Sequence, residues 1–168
     1  MIKQLTEQRL FNITLYYLSR YEATSQKVRS MLKRRILKMK LSDTVIPDET
    51  ERWIENIILK MQNLGYLNDR RYAENQVRIL SGQNRSDRFI IGKLKQAGLS
   101  EQLIRDLLSE TESDEIERAR KFAQRKKLGT YNQISKTPEQ QKKEMATMAR
   151  AGFSYDTICL ILNDNIFE

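Results

Sequence analysis

Residues 94–108 read LKQAGLSEQLIRDLL, and residues 148–162 read MARAGFSYDTICLIL. Each stretch is the end of one helix, a glycine, a capping serine and the start of another helix. Gly98 and Gly152 offer the left-handed conformation that closes a helix, and Ser100 and Ser154 offer a side-chain oxygen to the free N–H groups that open the next. Leu94, Ala97, Leu99, Ile104 and Leu108 are answered by Met148, Ala151, Phe153, Ile158 and Leu162 at a constant offset of 54 residues. A second offset, of 62 residues, relates Thr24, Val28 and Leu32 to Ser86, Ile90 and Leu94. Helix, glycine, serine, helix is a generic connection and also imitates a helix-turn-helix. The shared Ala-Gly-x-Ser with matched apolar flanks favours common structure, hence an internal repeat.

Outward from these stretches the same periodicity predicts further helices. Residues from about 6 to 21 carry Leu10, Ile13, Tyr17 and Tyr21 with Phe11, Leu15 and Leu18 as a broad apolar stripe. Thr24 or Ser25 caps a second helix, and Leu41 to Pro47 form a loop. Asp48 and Glu51 then resemble a capping box for a third helix whose buried stripe is Ile54, Ile57, Ile58, Met61 and Leu64, with Trp53 beside it and Gly65 as terminator. A fourth helix opens near Asn68 or Asp69 and buries Tyr72, Ala73, Val77 and Leu80; Ser86 caps the fifth and Ser100 the sixth. Gly92 inside the fifth costs about 1 kcal/mol relative to alanine. A seventh helix is expected over Thr111 to Leu128 with Ile116, Ala119, Phe122 and Ala123 inward. Thr137, Pro138 and Gln140 start the eighth, and residues 155–166 make the ninth. The fold class read from this pattern is all-α: three tandem three-helix repeats, helix-turn-helix-like, over residues 1–66, 67–112 and 113–168. Units this short cannot bury their apolar faces alone, so they are expected to stack into an elongated, curved body.

The chain has 168 residues, no histidine and one cysteine. Without histidine the commonest general base and the commonest zinc ligand are missing, so catalytic triads and Cys/His metal sites are excluded. No Gly-x-x-x-x-Gly-Lys-Ser/Thr loop is present to cradle a nucleotide. The carboxylates Glu110, Glu112, Asp114, Glu115 and Glu117 read as a solvated helix start rather than a Mg²⁺ site. No enzyme, cofactor or metal is expected. Cys159, in the apolar run Ile158 to Leu162, reads as a buried thiol suited to a reducing cytoplasm. Neither an export signal nor a membrane-spanning stretch is read from the sequence, so no membrane partner is expected.

Thirty Lys and Arg against twenty-two Asp and Glu leave a formal charge of +8, a balance that favours polyanionic partners. Two clusters concentrate it. Lys33, Arg34, Arg35 and Lys38 share one helix, and Arg118, Lys121 and Arg125 recur at i, i+3 and i+7 with Arg120, Lys126 and Lys127 nearby. Arg85, Arg88, Lys93 and Arg150, with Arg70, Arg71 and Lys95, form a second tier. A charge run is often only a solvated face, but two dense clusters on so basic a chain point to nucleic acid or to an acidic protein surface. Tyr66 and Tyr72 admit stacking on bases. Their positions, one after a terminating glycine and one on an inward stripe, favour a structural role in pinning the first repeat against the second, alongside Gly65, Gly98 and Gly152.

The segment Gly65-Tyr-Leu-Asn-Asp-Arg-Arg-Tyr-Ala73 resembles the most distinctive motif of the RecX family, and Arg150-Ala-Gly-Phe-Ser-Tyr-Asp-Thr-Ile158 is similar to that family's C-terminal signature. Helix order, repeat number and length agree from about residue 10 to residue 163. The chain departs from the pattern in its longer Lys40 to Pro47 connection, in lacking a glycine at the end of the second helix, and in having Gly82-Gln-Asn-Arg-Ser86 for a Gly-rich turn. What the resemblance implies is a negative regulator of homologous recombination and DNA repair. It implies binding in the groove of the RecA filament on single-stranded DNA, lower ATP hydrolysis and strand exchange, and direct contact with single-stranded or double-stranded DNA. A monomer is expected. Two other functions compete. A helix-turn-helix transcription regulator would read bases with Leu99 to Leu108 or Phe153 to Leu162, yet Arg105 is the one cation there. A nonspecific DNA-coating protein would show steep salt dependence without needing recombinase.

Overall fold

A computed structural model describes residues 4–42, 44–111, 114–132 and 137–162. Among these it contains nine α-helices: α1 (Glu7–Leu18), α2 (Ser25–Lys40), α3 (Thr50–Asn63), α4 (Asp69–Gly82), α5 (Asp87–Gln96), α6 (Glu101–Ser109), α7 (Glu115–Lys126), α8 (Pro138–Arg150) and α9 (Tyr155–Leu162). A 3₁₀ turn, Gly129–Tyr131, follows α7. The protein is all-α. Its one extended pairing among the described residues is a bridge between Gln4 and Val45, where the Leu5 N–H donates to the Val45 carbonyl at 3.0 Å. Contacts divide the chain into two compact units: the described residues up to Ala73 with Ala97–Leu99, and Glu74–Gln96 with the described residues from Ser100 onward.

In the first unit, α1, α2 and α3 bury Leu10, Val28, Leu32, Ile54, Ile57, Ile58 and Met61, with Phe11, Ile13 and Trp53 packed against them. These helices are held by tertiary burial of one apolar stripe more than by propensity. Thr6 and Thr24 cap α1 and α2 by accepting from the Arg9 and Lys27 N–H groups. Three expectations fail here. α1 stops at Leu18, so Tyr21 lies beyond the helix, leaves the stripe and is exposed. Leu64 follows the last residue of α3, where the chain turns into Gly65, and is exposed as well. Asp48 forms no capping box: α3 begins at Thr50 without a side-chain cap, and the Thr50 hydroxyl instead donates to the Pro47 carbonyl.

The second unit has a core of Ala119, Phe122, Ala123, Leu128, Met148, Phe153, Ile158, Ile161 and Leu162, in which the Phe122 and Phe153 rings lie 5.5 Å apart. Ile90, Leu94, Ile104 and Leu107 are buried on α5 and α6. α7 is shorter than expected. Asp114 caps its start, Lys127 ends it in a left-handed conformation at φ 53°, and Ile116 in its first turn is exposed rather than inward. The acidic cluster is spent on local structure: Asp114 accepts from the Ile116 N–H, Glu115 from the Asp87 N–H, and Glu117 pairs with Lys121. Glu112 lies outside the described residues, as does the portion of the ninth helix expected beyond residue 162. Cys159 is half-buried, not buried. The Tyr155 hydroxyl titrates above its ordinary value because of its hydrogen bond with that thiol.

One contact occurs in both units. In the first, the Thr24 hydroxyl that caps α2 donates to the Ala97 carbonyl at 2.5 Å, and the neighbouring Ser25 N–H donates to Asp69 at 2.8 Å. In the second, the Ser86 hydroxyl that caps α5 donates to the Ala151 carbonyl at 2.8 Å, and the neighbouring Asp87 N–H donates to Glu115 at 2.9 Å. Each accepting carbonyl stands just before a glycine with positive φ, Gly98 at +85° and Gly152 at +92°. The space a Cβ would need is filled by Gln26 at Gly98 and by Ser86 at Gly152. Glycine is required twice over at both places, by backbone sign and by close approach.

Candidate nucleic-acid interface

The basic face of α2 follows from its sequence phase. Val28 and Leu32 turn inward, which leaves Lys33, Arg34, Arg35 and Lys38 exposed. Lys33 is engaged by Glu51 at 2.9 Å, a surface pair of the kind that contributes less than about 1 kcal/mol. Arg29, nearer the start of α2, holds Glu55 through two 2.7 Å hydrogen bonds. That fork raises the Arg29 pKa and lowers that of Glu55. Arg34, Arg35 and Lys38 instead line a groove of about 790 Å³ bounded by α1 and α2, to which Arg9 adds a fourth cation. No ion pair among the described residues occupies these three.

The cluster on α7 is not the continuous cationic face its spacing suggests. Arg118 is only 3% exposed. Its guanidinium points into the second unit, donating to the Asp87 carboxylate at 2.5 Å and to the Arg85 carbonyl at 2.8 Å. Arg118 precedes Phe122 by one helical turn, so it lies in phase with the buried stripe and, contrary to the expectation from spacing, is an internal tie and not a contact residue. Lys121 is exposed and pairs with Glu117 at 2.6 Å. Arg125 lies 5.8 Å from the Phe122 ring centroid, and Lys126 and Lys127 are exposed at the end of the helix. Of the second tier, Arg85 is partly buried with its guanidinium 4.8 Å over the Phe89 ring, while Arg88, Lys93 and Arg150 are exposed. Arg150 is turned back along α8 to the Ala146 carbonyl and the Thr147 hydroxyl.

The two tyrosines part ways. Tyr72 is buried, receives a 2.7 Å hydrogen bond from Lys27 Nζ, and has that ammonium 4.9 Å from its ring centroid. Tyr66 is 51% exposed, which contradicts a pinning role: its N–H returns to the Met61 carbonyl in the turn closed by Gly65, and the ring is left outside. Gly65 has φ +75° with open space at its Cβ position.

Glu101 sits between Lys95 at 2.6 Å and Arg105 at 2.5 Å. The hydrogen bond from Lys95, then that from Arg105, hold its carboxyl down from 4.5 to about 2. A depressed carboxyl favours the folded state above the unfolded pKa and loses that contribution as pH falls through the folded value. The window is therefore pH 4.5 down to about 2. A carboxyl-detected NMR titration should find Glu101 ionised at pH 3.5; a midpoint near 4.5 would show the three side chains apart in solution.

Among the described residues no helix is long and apolar enough to cross a membrane. Fold and surface together define an all-helical protein with cation-rich helix faces and helix-turn-helix-like connections. The sequence is 31% identical over 159 residues to the regulatory protein RecX of Myxococcus xanthus, covering 93% of this chain and 85% of that one. It is 26% identical over 145 residues to RecX of Agrobacterium fabrum, covering 86% and 77%. A crystal structure of RecX from Lactobacillus salivarius superposes with a TM-score of 0.72 at 26% identity, covering 94% of this chain and 95% of that one. No family model matches the sequence. The chain belongs to the RecX family of regulatory proteins.

Proposed function

We propose that this protein restrains homologous recombination and DNA repair by occupying the groove of the RecA filament on single-stranded DNA, so that ATP hydrolysis and strand exchange fall. It would act as a cytoplasmic monomer, without covalent chemistry or a cofactor, through cations that meet phosphates or acidic filament surfaces. The observation that carries the reading is the 31% identity to a RecX protein across 93% of the chain. The cations Lys33, Arg34, Arg35, Lys38, Arg88, Lys93, Lys121, Arg125, Lys126, Lys127 and Arg150 support it, since all are exposed at the surface, although Lys33 and Lys121 also hold Glu51 and Glu117. Three three-helix repeats over residues 1–66, 67–112 and 113–168 belong to the same reading. The recurring hydroxyl-to-carbonyl contact at Thr24 and Ser86 supports them, because each joins a cap to a glycine turn in the repeat that follows.

The test is a titration of the protein into RecA hydrolysing ATP on single-stranded DNA. Hydrolysis is expected to fall in a saturable manner at substoichiometric or equimolar protein. Unchanged hydrolysis at saturation would defeat the reading. The filament should also be bound more tightly than bare DNA at equal salt, which a nonspecific coating protein would not achieve.

A further inference from the structure

The groove bounded by α1 and α2 carries more than cations. Tyr16 is 61% exposed and Tyr21 59% exposed, both at its lining, with Tyr17 between them in sequence and its ring 5.3 Å from that of Tyr21. The Arg20 guanidinium rests 4.6 Å from the Tyr16 ring centroid. Opposite them stand Arg34, Arg35 and Lys38, and among the described residues no acidic side chain lines the groove. The floor contains the apolar side chains Ile13 and Met31.

We propose that this groove is a binding site for single-stranded nucleic acid, in which Tyr16 and Tyr21 stack on bases while Arg34, Arg35 and Lys38 hold the phosphate backbone. The inference rests on the reading that the chain engages nucleic acid, and it adds the place and the mode. Each half of the ligand finds its complement. Unpaired bases offer two apolar faces and stack on aromatic rings or guanidinium planes, and phosphates need cations free of carboxylate partners. A duplex would present only phosphates here, because its bases are already stacked on one another. An acidic helix would use the cations and the apolar floor, but it offers no planar face to match the exposed sides of the Tyr16 and Tyr21 rings. The sequence hides the site, since Tyr16 in α1 and Tyr21 just beyond it meet Arg34, Arg35 and Lys38 only when α1 packs beside α2.

The experiment measures fluorescence anisotropy of the full chain with a dye-labelled thymidine 20-mer, and with an abasic 20-mer of the same phosphate number, across a salt series. The expected result is tighter binding of the thymidine oligomer by at least tenfold. Tyr16→Ala with Tyr21→Ala should remove most of that preference, about fivefold or more per ring, with the salt slope unchanged. Arg34→Gln with Arg35→Gln should lower the salt slope by about 1.4, two single-strand phosphate contacts' worth. Equal affinity for the abasic oligomer, measured on the unaltered protein, would overturn the proposal and leave a phosphate-only contact of the kind a duplex would also make. Unchanged thymidine binding by the double tyrosine variant would overturn it too, with nucleic-acid engagement intact elsewhere on the chain. If the unaltered protein binds neither oligomer, the broader reading of direct DNA contact falls along with the site.

Discussion

Gly152→Ala will destabilise the second unit by about 3 kcal/mol, seen as a drop of roughly 10 °C in Tm. The backbone at this position has φ +92°, where an L side chain costs about 1–2 kcal/mol. The new methyl would also enter the space held by the Ser86 hydroxyl, which caps α5 through the Phe89 N–H and donates to the Ala151 carbonyl. Displacing that hydroxyl loosens both bonds, each contributing about 1 kcal/mol. Three other glycines calibrate the result. Gly98→Ala meets Gln26 in the same way and should behave alike, whereas Gly65→Ala has φ +75° but open space and should cost only the backbone strain. Gly92, within α5 and facing open space, should become more stable by about 1 kcal/mol as alanine. Thermal melts of the four variants check the ordering; equal effects at Gly152 and Gly65 would show that the Ser86 contact contributes nothing.

Much of this fold was legible because its punctuation is local. Thr24, Ser86, Ser100, Thr137 and Ser154 each cap the helix assigned to them, and each bond spans only three residues. Glycines with positive φ close helices at Gly65, Gly98 and Gly152. Errors gather where local rules compete with position. Tyr21, Leu64 and Ile116 fit an apolar stripe by spacing, but they lie at or beyond the helix ends, where the stripe no longer faces a neighbour. Glu144 was invisible: it is 2% exposed on α8 and accepts from the Gly129 N–H at 2.9 Å and Asn132 Nδ2 at 2.7 Å, filling a need created by the turn after α7. Nothing in a single helix's pattern signals a partner supplied by a distant turn. The candidate site was half legible for the same reason. Its cations stood out as a run on α2, whereas Tyr21 read as a member of the α1 stripe and Tyr16 fell outside that stripe.

Asp87→Ala will cost more than its position at a helix start suggests, about 3 kcal/mol, because of what it leaves behind. Asp87 is partly open to solvent and by itself a modest surface group, but its partner Arg118 is 4% exposed at the side chain. A guanidinium does not shed its proton at accessible pH, so Arg118 would remain charged inside the second unit with only the Arg85 carbonyl to receive it. Removing one member of a buried pair is expensive for this reason, whereas replacing both by apolar groups of similar volume is often neutral. Arg118→Met alone, which deletes the buried charge and leaves Asp87 reachable by water, should cost less than Asp87→Ala. The double variant should cost less than the sum of the two, with a coupling on the order of 1–3 kcal/mol in a double-mutant cycle. Urea unfolding of the three variants measures it. Additive losses would mean that Arg118 is not tied to Asp87 in solution, and would restore it to the exposed cationic face of α7 from which this structure removes it.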